Sequence, residues 1–227
     1  MPFPKKKFLD TKSPNPGTLL STDLLSTLRI DILARKYAQG QKLTEQHICS
    51  DYNVSRTPVR EAFRQLETEG LIETIPNRGA FVIGFSDRDF RDLFDLRKSY
   101  EMQAVKWAIE RITKDEIDAL EETFEFMEFY TQKNDVEKIS NINMNFHQLI
   151  YMATRNKMLH TILSTCQLYM RHTKKQNGFG DDYLSVLLEE HREIFNAFKS
   201  KDAGCGITAM EKHMDNLAGR NFQLQRR

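Results

Sequence analysis

Three of the six histidines in this 227-residue chain stand on the apolar faces of separate predicted helices. They are His147, His191 and His213, and each lies three or four residues from an aliphatic side chain, the spacing of neighbours on one helix face. Three neutral imidazoles with one oxygen ligand suit zinc, nickel or a similar divalent metal. A histidine on an apolar face is more often a hydrogen-bonded core residue, so the spacing leaves both roles open.

A second set of side chains lies on a predicted helix that begins after Ser55. On a helical wheel the apolar residues of this segment share one side, and the polar residues share the adjacent side. The apolar side holds Val59, Ala62, Phe63 and Leu66, and the polar side holds Arg56, Thr57, Arg60 and Arg64. Such a helix packs through one side and offers guanidinium groups to phosphates and base edges through the other. We expect Ser55 to cap it by accepting a hydrogen bond from a first-turn N–H.

The segments around this helix decide between DNA contact and an ordinary solvated face. The pattern predicts a short helix over 44–52 and a turn at Asn53 before the arginine-bearing helix, which together form a helix-turn-helix. Two strands follow over 71–75 and 80–83, joined by a turn that carries Arg78. This order is that of a winged helix-turn-helix, and it favours DNA binding over the solvated face.

The second half of the chain has the apolar periodicity of helices throughout. Six helices are predicted, over about 86–112, 114–132, 135–153, 156–175, 182–199 and 202–224. Thr113 and Asp135 are expected N-caps, and residues 177–180 mark a break. The predicted fold is therefore mainly α, with an N-terminal winged helix-turn-helix followed by an all-α helical bundle.

Composition limits the classes of protein that the chain can belong to. Residues 1–79 hold 12 Lys and Arg against 9 Asp and Glu, the sign expected of a DNA-reading segment. No apolar run approaches the ~20 residues of a membrane span, and no secretory signal is evident. The three cysteines are widely spaced and odd in number, which favours a reducing cytoplasm over a disulfide framework. We expect a cytoplasmic protein without a membrane partner.

Residues 22–84 resemble the winged-helix domain of the GntR family of bacterial transcription regulators. The matching segments are 40–43, the Val-Ser-Arg-Thr-Pro-Val-Arg-Glu-Ala run at 54–62, 66–72 and 77–82. The resemblance implies contacts of Ser55, Arg56, Thr57 and Arg60 with phosphates and bases. Arg64 lies on the same helix side, and Arg78 with Gly79 forms the wing turn, so these three residues complete the expected DNA surface.

Residues 88–222 resemble the FCD ligand-binding domain of a large GntR subfamily. The matching segments are 96–101, 143–147, 153–156, 190–194 and 210–214. The resemblance implies a divalent metal held by an aspartate and three histidines, a small carboxylate effector beside that metal, and a homodimer that reads a pseudo-palindromic operator, usually as a repressor. Here Asn143 stands at the position of the aspartate, four residues before His147. The predicted ligands are thus Asn143, His147, His191 and His213, and a neutral amide leaves the metal one more positive charge. Three outcomes stay open: weaker metal binding, a site that relies more on effector and water oxygens, or loss of the metal altogether.

Arg97 is the expected anchor for the effector, together with Tyr100 and Glu101. Its guanidinium can face a carboxylate ligand, or it can pair with Glu101 four residues later on the same helix. The sequence predicts a flexible tail at 1–18, a DNA-binding domain at 19–84 and an effector-binding, dimerising domain at 85–227. Two alternatives remain open at this point, a metal-dependent hydrolase that uses the histidines and a DNA-binding protein with no effector.

Overall fold

The computed structural model describes residues 21–173 and 182–222, with side chains described from residue 24 to residue 171 and from 182 to 220. The chain divides into two compact units, Met1–Phe85 and Ser86–Arg227. The predicted architecture, a winged helix-turn-helix followed by a helical bundle, is confirmed. The tail predicted at 1–18 and the break predicted at 177–180 lie outside the described residues.

The first unit is a helix-turn-helix with a small antiparallel sheet. Its elements are α1 (Ser21–Leu33), β1 (Lys42–Leu43), α2 (Glu45–Tyr52), α3 (Arg56–Thr68), β2 (Ile72–Ile75) and β3 (Gly79–Val82). The strand order is β1-β3-β2. Thr44 caps α2 by accepting a hydrogen bond from the N–H of His47, and Asn53 ends it in the left-handed region with φ 51°. The tight turn between α2 and α3 therefore forms as the sequence predicts.

The recognition helix α3 is fixed by one apolar side and one ion pair. Val59, Ala62 and Leu66 are buried, as predicted, and form part of the core between α1 and α3. Arg29 of α1 donates from Nε and Nη2 to the carboxylate of Glu69, each over 2.7 Å. Because Glu69 is the C-cap of α3, this bidentate pair ties the end of α3 to α1.

The second unit consists of the helices that the sequence predicts, and within the described residues their bounds agree with the predicted ones to within one residue. They are α4 (Asp87–Arg111), α5 (Lys114–Gln132), α6 (Val136–Ala153), α7 (Lys157–Thr173), α8 (Tyr183–Ser200) and α9 (Ala203–Phe222). Thr113 and Glu116 form the predicted capping box of α5, and Asp135 caps α6 through the N–H of Lys138.

Helix α4 is the central element of the second unit. It packs on α6, α7 and α9, while α5 packs on α6 and α8. The approach of α9 to α4 requires a glycine, because a Cβ at Gly206 would lie 2.8 Å from Val105 Cγ1. Within the described residues, every helix is too short or too polar to cross a membrane. The bundle brings α6, α8 and α9 around one centre, where the three histidines meet.

Candidate functional site

The outer side of α3 carries the predicted DNA-reading residues in exposed positions. Ser55, Arg56, Thr57, Arg60 and Arg64 all lie at the surface. The expectation that Ser55 caps α3 with its side chain was wrong, since its hydroxyl makes no cap hydrogen bond. Pro58 is the third residue of α3 and has no N–H, so it removes one of the two first-turn donors that an N-cap side chain can bond.

The arginines of α3 differ in how firmly they are held. Arg60 donates from Nε to Glu45 Oε1 over 2.8 Å, and Arg64 donates from Nη2 to Glu61 Oε1 over 2.7 Å. Glu61 thus orients a neighbouring arginine. Arg56 has no ion pair with any part of the chain that the structure describes. All three guanidinium groups remain within reach of an approaching polyanion.

Lys42, on β1 beside the wing, is a basic residue that the sequence analysis did not identify as part of the DNA surface. Arg78 stacks over the Phe81 ring at 5.8 Å, in the turn where Gly79 adopts φ +101°. A Cβ at Gly79 would lie 3.1 Å from Lys42 Cε, so Lys42 runs beneath the wing turn. The pairing of β1 with β3 places Lys42 opposite Phe81. The available signal was that Lys42 stands in the short segment just before the helix-turn-helix. That segment is too short for apolar alternation to identify it as a strand.

In the second unit the three histidines predicted to converge do so. Their candidate ligand atoms all lie within 4.8 Å of one another. His147 comes from α6, His191 from α8 and His213 from α9, and all three are at most 1% exposed. Their ring centroids are 4.7 Å apart for His191 and His213, 5.4 Å for His147 and His213, and 5.5 Å for His147 and His191.

Hydrogen bonds identify the ring nitrogens that carry lone pairs in two of these histidines. His191 Nδ1 lies 2.7 Å from the carbonyl oxygen of Leu187, and His213 Nδ1 lies 2.8 Å from Oε2 of Glu190. Both partners accept, so each Nδ1 must donate. Burial and neighbouring histidines lower the pKa of His191 well below its ordinary value, and burial also lowers that of His213. In the neutral form, which these shifts favour, each of the two rings has its lone pair on Nε2.

Several buried polar atoms of the predicted metal ligands have no hydrogen-bond partner. Within the described part of the chain they include Nε2 of His191, both ring nitrogens of His147 and Oδ1 of Asn143. Leaving such atoms unpaired costs about 1–3 kcal/mol each. A divalent cation would bind nitrogen and amide oxygen lone pairs of this kind, so the residues present fit the predicted metal.

The predicted effector residues separate into two buried side chains and one exposed side chain. Arg97 donates from Nε to Glu101 Oε1 over 3.0 Å, and the hydroxyl of Tyr151 donates to the same oxygen. Burial alone would raise the pKa of Glu101, but His147 and Arg97 outweigh it and lower that pKa to about 2. Tyr100 is 37% exposed. Arg97 thus pairs with Glu101, which is one of the two roles that the sequence allowed for it. The other role was binding of the effector.

Glu190 is a buried acid of this region that the sequence reasoning did not single out. It accepts hydrogen bonds from His213 Nδ1, from Asn216 Nδ2 and from both Nη atoms of Arg220, each over 2.8 Å. These bonds outweigh the effect of burial and lower the pKa of Glu190 to about 2. The available signal was the polar series His213, Asn216 and Arg220 along one side of α9.

Comparison with known families identifies the chain. The FCD domain family matches residues 92–216, more than half of the chain, and the family described as "Bacterial regulatory proteins, gntR family" matches residues 20–82. The chain belongs to the gntR family of bacterial regulatory proteins. This gntR regulator is a DNA-binding transcription regulator rather than an enzyme, and its two matched segments fall within the two compact units.

Individual relatives match this gntR regulator over most of its length. The transcriptional repressor RspR of Escherichia coli is 28% identical over 214 residues, covering 90% of each chain. The gluconate operon repressor of Bacillus subtilis is 27% identical over 202 residues, covering 84% of this chain and 80% of the relative. The solved structure of McbR/YncC from Escherichia coli has the same fold, with a TM-score of 0.73 at 20% identity, over 92% of this chain and 99% of the other.

Proposed function

We propose that this gntR regulator is a cytoplasmic repressor whose affinity for its operator changes when a small carboxylate binds beside a divalent metal in the second unit. The observation that carries this proposal is the group of three buried histidines whose candidate ligand atoms lie within 4.8 Å of one another. Two of the rings present neutral Nε2 lone pairs, and Asn143 adds an unpaired amide oxygen. A sensor and a DNA-reading surface then occupy separate units of one chain.

The ligands of the metal would be Asn143, His147, His191 and His213. Zinc and nickel suit three imidazole nitrogens, and the bound ion would offer a positive centre to a carboxylate oxygen. An amide oxygen and metal-bound imidazoles are neutral ligands, so these four donors would cancel none of the charge of the cation. This supports an anionic effector over a neutral one. The gluconate operon repressor is named for a sugar acid, which is also a carboxylate.

The DNA-reading residues would be those exposed on α3 and on the wing. Ser55, Arg56, Thr57 and Arg60 would meet phosphates and base edges in the major groove, with Arg64 beside them. Arg78 and Gly79 would bring the wing turn to the backbone or the minor groove. We propose a homodimer, because two copies of α3 can read the two halves of a pseudo-palindromic operator.

The effector proposal is tested with the full-length protein by differential scanning fluorimetry. ZnCl2 or NiCl2 is added first, and then D-gluconate, L-lactate or succinate. We expect the metal to raise the melting temperature, and one carboxylate to raise it further only when metal is present. The same carboxylate should change the affinity for operator fragments selected from genomic DNA. If no carboxylate changes either quantity, the chain is a DNA binder without such an effector.

A further inference from the structure

We infer that Glu190 is a positioning residue of the histidine cluster, which orients His213 so that Nε2 faces the metal. This inference rests on the proposed metal site. Glu190 would not touch the metal itself. Its carboxylate would act through the Nδ1–H of His213, which it holds over 2.8 Å. Such a partner fixes the tautomer and the ring orientation of a metal-binding histidine and raises its basicity.

The carboxylate of Glu190 is held at both oxygens by α9. Oε1 accepts from Asn216 Nδ2 and Arg220 Nη1, while Oε2 accepts from Arg220 Nη2 and from the histidine. Glu190 belongs to α8 and is 3% exposed, and all three of its partners belong to α9. Glu190 directly precedes His191 in the chain. Its hydrogen bond to His213 therefore fixes the position of His213 relative to His191.

The other two histidines are held differently. His191 Nδ1 donates to a backbone carbonyl, which supplies orientation without a formal charge. His147 Nδ1 lies 3.6 Å from Glu101 Oε2, beyond hydrogen-bond distance. Glu190 thus has the shorter carboxylate contact with a ring of this cluster, 2.8 Å against 3.6 Å for Glu101. Its loss would remove the direct hydrogen bond that orients His213.

The chain contains a matched control for a buried acid paired with an arginine. Glu116 is 7% exposed and accepts from Arg155 over 2.7 and 2.8 Å, as Glu190 does from Arg220. Glu116 caps α5 and contacts none of the three histidines. Glu116→Gln therefore reports the cost of neutralising a buried acid, and Glu190→Gln adds the loss of the charged partner of His213.

The experiment measures Zn²⁺ affinity of the full-length protein by competition with a chromophoric chelator. We expect Glu190→Gln to weaken Zn²⁺ binding by about 10–100-fold, the usual effect of removing such a partner. Glu116→Gln should remain within about threefold of wild type, which separates local stability from positioning. In the Co²⁺-loaded protein, the visible absorption bands should shift in Glu190→Gln and stay unchanged in Glu116→Gln, because only the former alters the ligand field.

The possible results separate this inference from the proposed metal site. If wild type binds no Zn²⁺, Co²⁺ or Ni²⁺, the metal site and the inference both fail. If wild type binds Zn²⁺ and Glu190→Gln binds it equally well, or loses no more affinity than Glu116→Gln, the inference alone fails. Should Glu190→Gln not fold, Arg220→Gln replaces it, because it loosens the carboxylate but leaves its charge. We expect about tenfold weaker Zn²⁺ binding for that variant, and an unchanged affinity would overturn the inference.

Discussion

Arg60 on the recognition helix donates from Nε to Oε1 of Glu45 on α2 over 2.8 Å. The Arg60 side chain remains 66% exposed, so this acid orients the arginine without covering it. Among the described residues, Glu45 is the only acid that pairs with Arg60. The two Nη atoms of Arg60 have no hydrogen-bond partner among these residues. An arginine held through Nε presents those two Nη donors outward, the geometry that reads guanine in the major groove.

Arg60→Ala should weaken operator binding by about 1–3 kcal/mol and reduce the discrimination between operator and non-operator DNA. Arg88→Ala is the matched control, since Arg88 is an exposed arginine on α4 that lies in the other unit. Fluorescence anisotropy with both kinds of DNA at one salt concentration measures the effect. If both variants bound the operator with equal affinity, Arg60 would not be a DNA-contacting residue.

Glu45→Ala should have a different effect from loss of the arginine. Removing an acid near the phosphates should leave non-specific affinity unchanged or higher. The operator preference should fall by up to about fivefold, because an exposed ion pair contributes no more than ~1 kcal/mol to orienting Arg60. The ratio of operator to non-operator affinity is the quantity to compare. A ratio equal to that of wild type would mean that Glu45 does not prepare Arg60 for DNA.

The histidine cluster leads to a prediction about stability with and without metal. His191→Ala should abolish the rise in melting temperature on addition of Zn²⁺, a rise that reflects about 2.7 kcal/mol when free metal is 100 times its Kd. His160→Ala is the control, because His160 on α7 stands outside the cluster. Differential scanning fluorimetry after chelator treatment, and again with Zn²⁺, gives both values. A full Zn²⁺ response in His191→Ala would exclude the cluster as the site.

Local signals in the sequence predict most of the framework that carries these residues. The capping box at Thr113 and Glu116 identifies the start of α5, and the apolar periodicity identifies the faces on which His147, His191 and His213 lie. Both signals come from neighbours within about one turn of helix, whose contacts are fixed by helical geometry. The sequence makes the convergence of the three faces possible but does not determine it, because that convergence depends on packing between helices.

The partners across helices are what the sequence does not predict. Glu190 is 30 residues from Arg220, and the pattern around it is that of an exposed charged position, yet the packing of α8 on α9 buries it. Tyr100, which the sequence groups with Arg97, is by contrast 37% exposed, and its effector role stays a prediction. At Ser55, the proline that removes one of the two N–H donors for a cap can be read from the sequence.

Gly206 provides a test of the packing that brings α9 to the cluster. Gly206→Ala should destabilise the second unit by about 1–3 kcal/mol, because its Cβ would lie 2.8 Å from Val105 Cγ1 and the β-branched side chain has little freedom to move. Gly204→Ala is the control, since its Cβ would meet only the side-chain oxygen of Asp202, at 3.3 Å. Urea denaturation of both variants gives the comparison. Equal stabilities would show that α9 can shift away from α4 without cost.

Asn143→Asp gives the sharpest prediction for the site, since it exchanges an amide oxygen for a carboxylate oxygen of nearly the same size. Without metal, the new charge is buried beside the histidine cluster and should lower the melting temperature. With Zn²⁺, the same charge should raise affinity at least tenfold, about 1.4 kcal/mol, because an anionic oxygen is the better ligand for a divalent cation. Asn145→Asp is the control, because Asn145 lies on the same helix but donates to Thr123.

If Asn143→Asp lowers the melting temperature without Zn²⁺ and raises it with Zn²⁺, residue 143 is a metal ligand. A simple change of stability would have the same direction in both conditions. A variant that is less stable both with and without Zn²⁺ would show that position 143 is not a ligand. Stabilisation in both conditions would indicate that the new carboxylate pairs with a protonated histidine instead. Asn143→Asp should also reduce the net positive charge of the metal-loaded pocket by one. Binding of a carboxylate such as D-gluconate to the metal-loaded variant should therefore weaken, which isothermal titration calorimetry can measure.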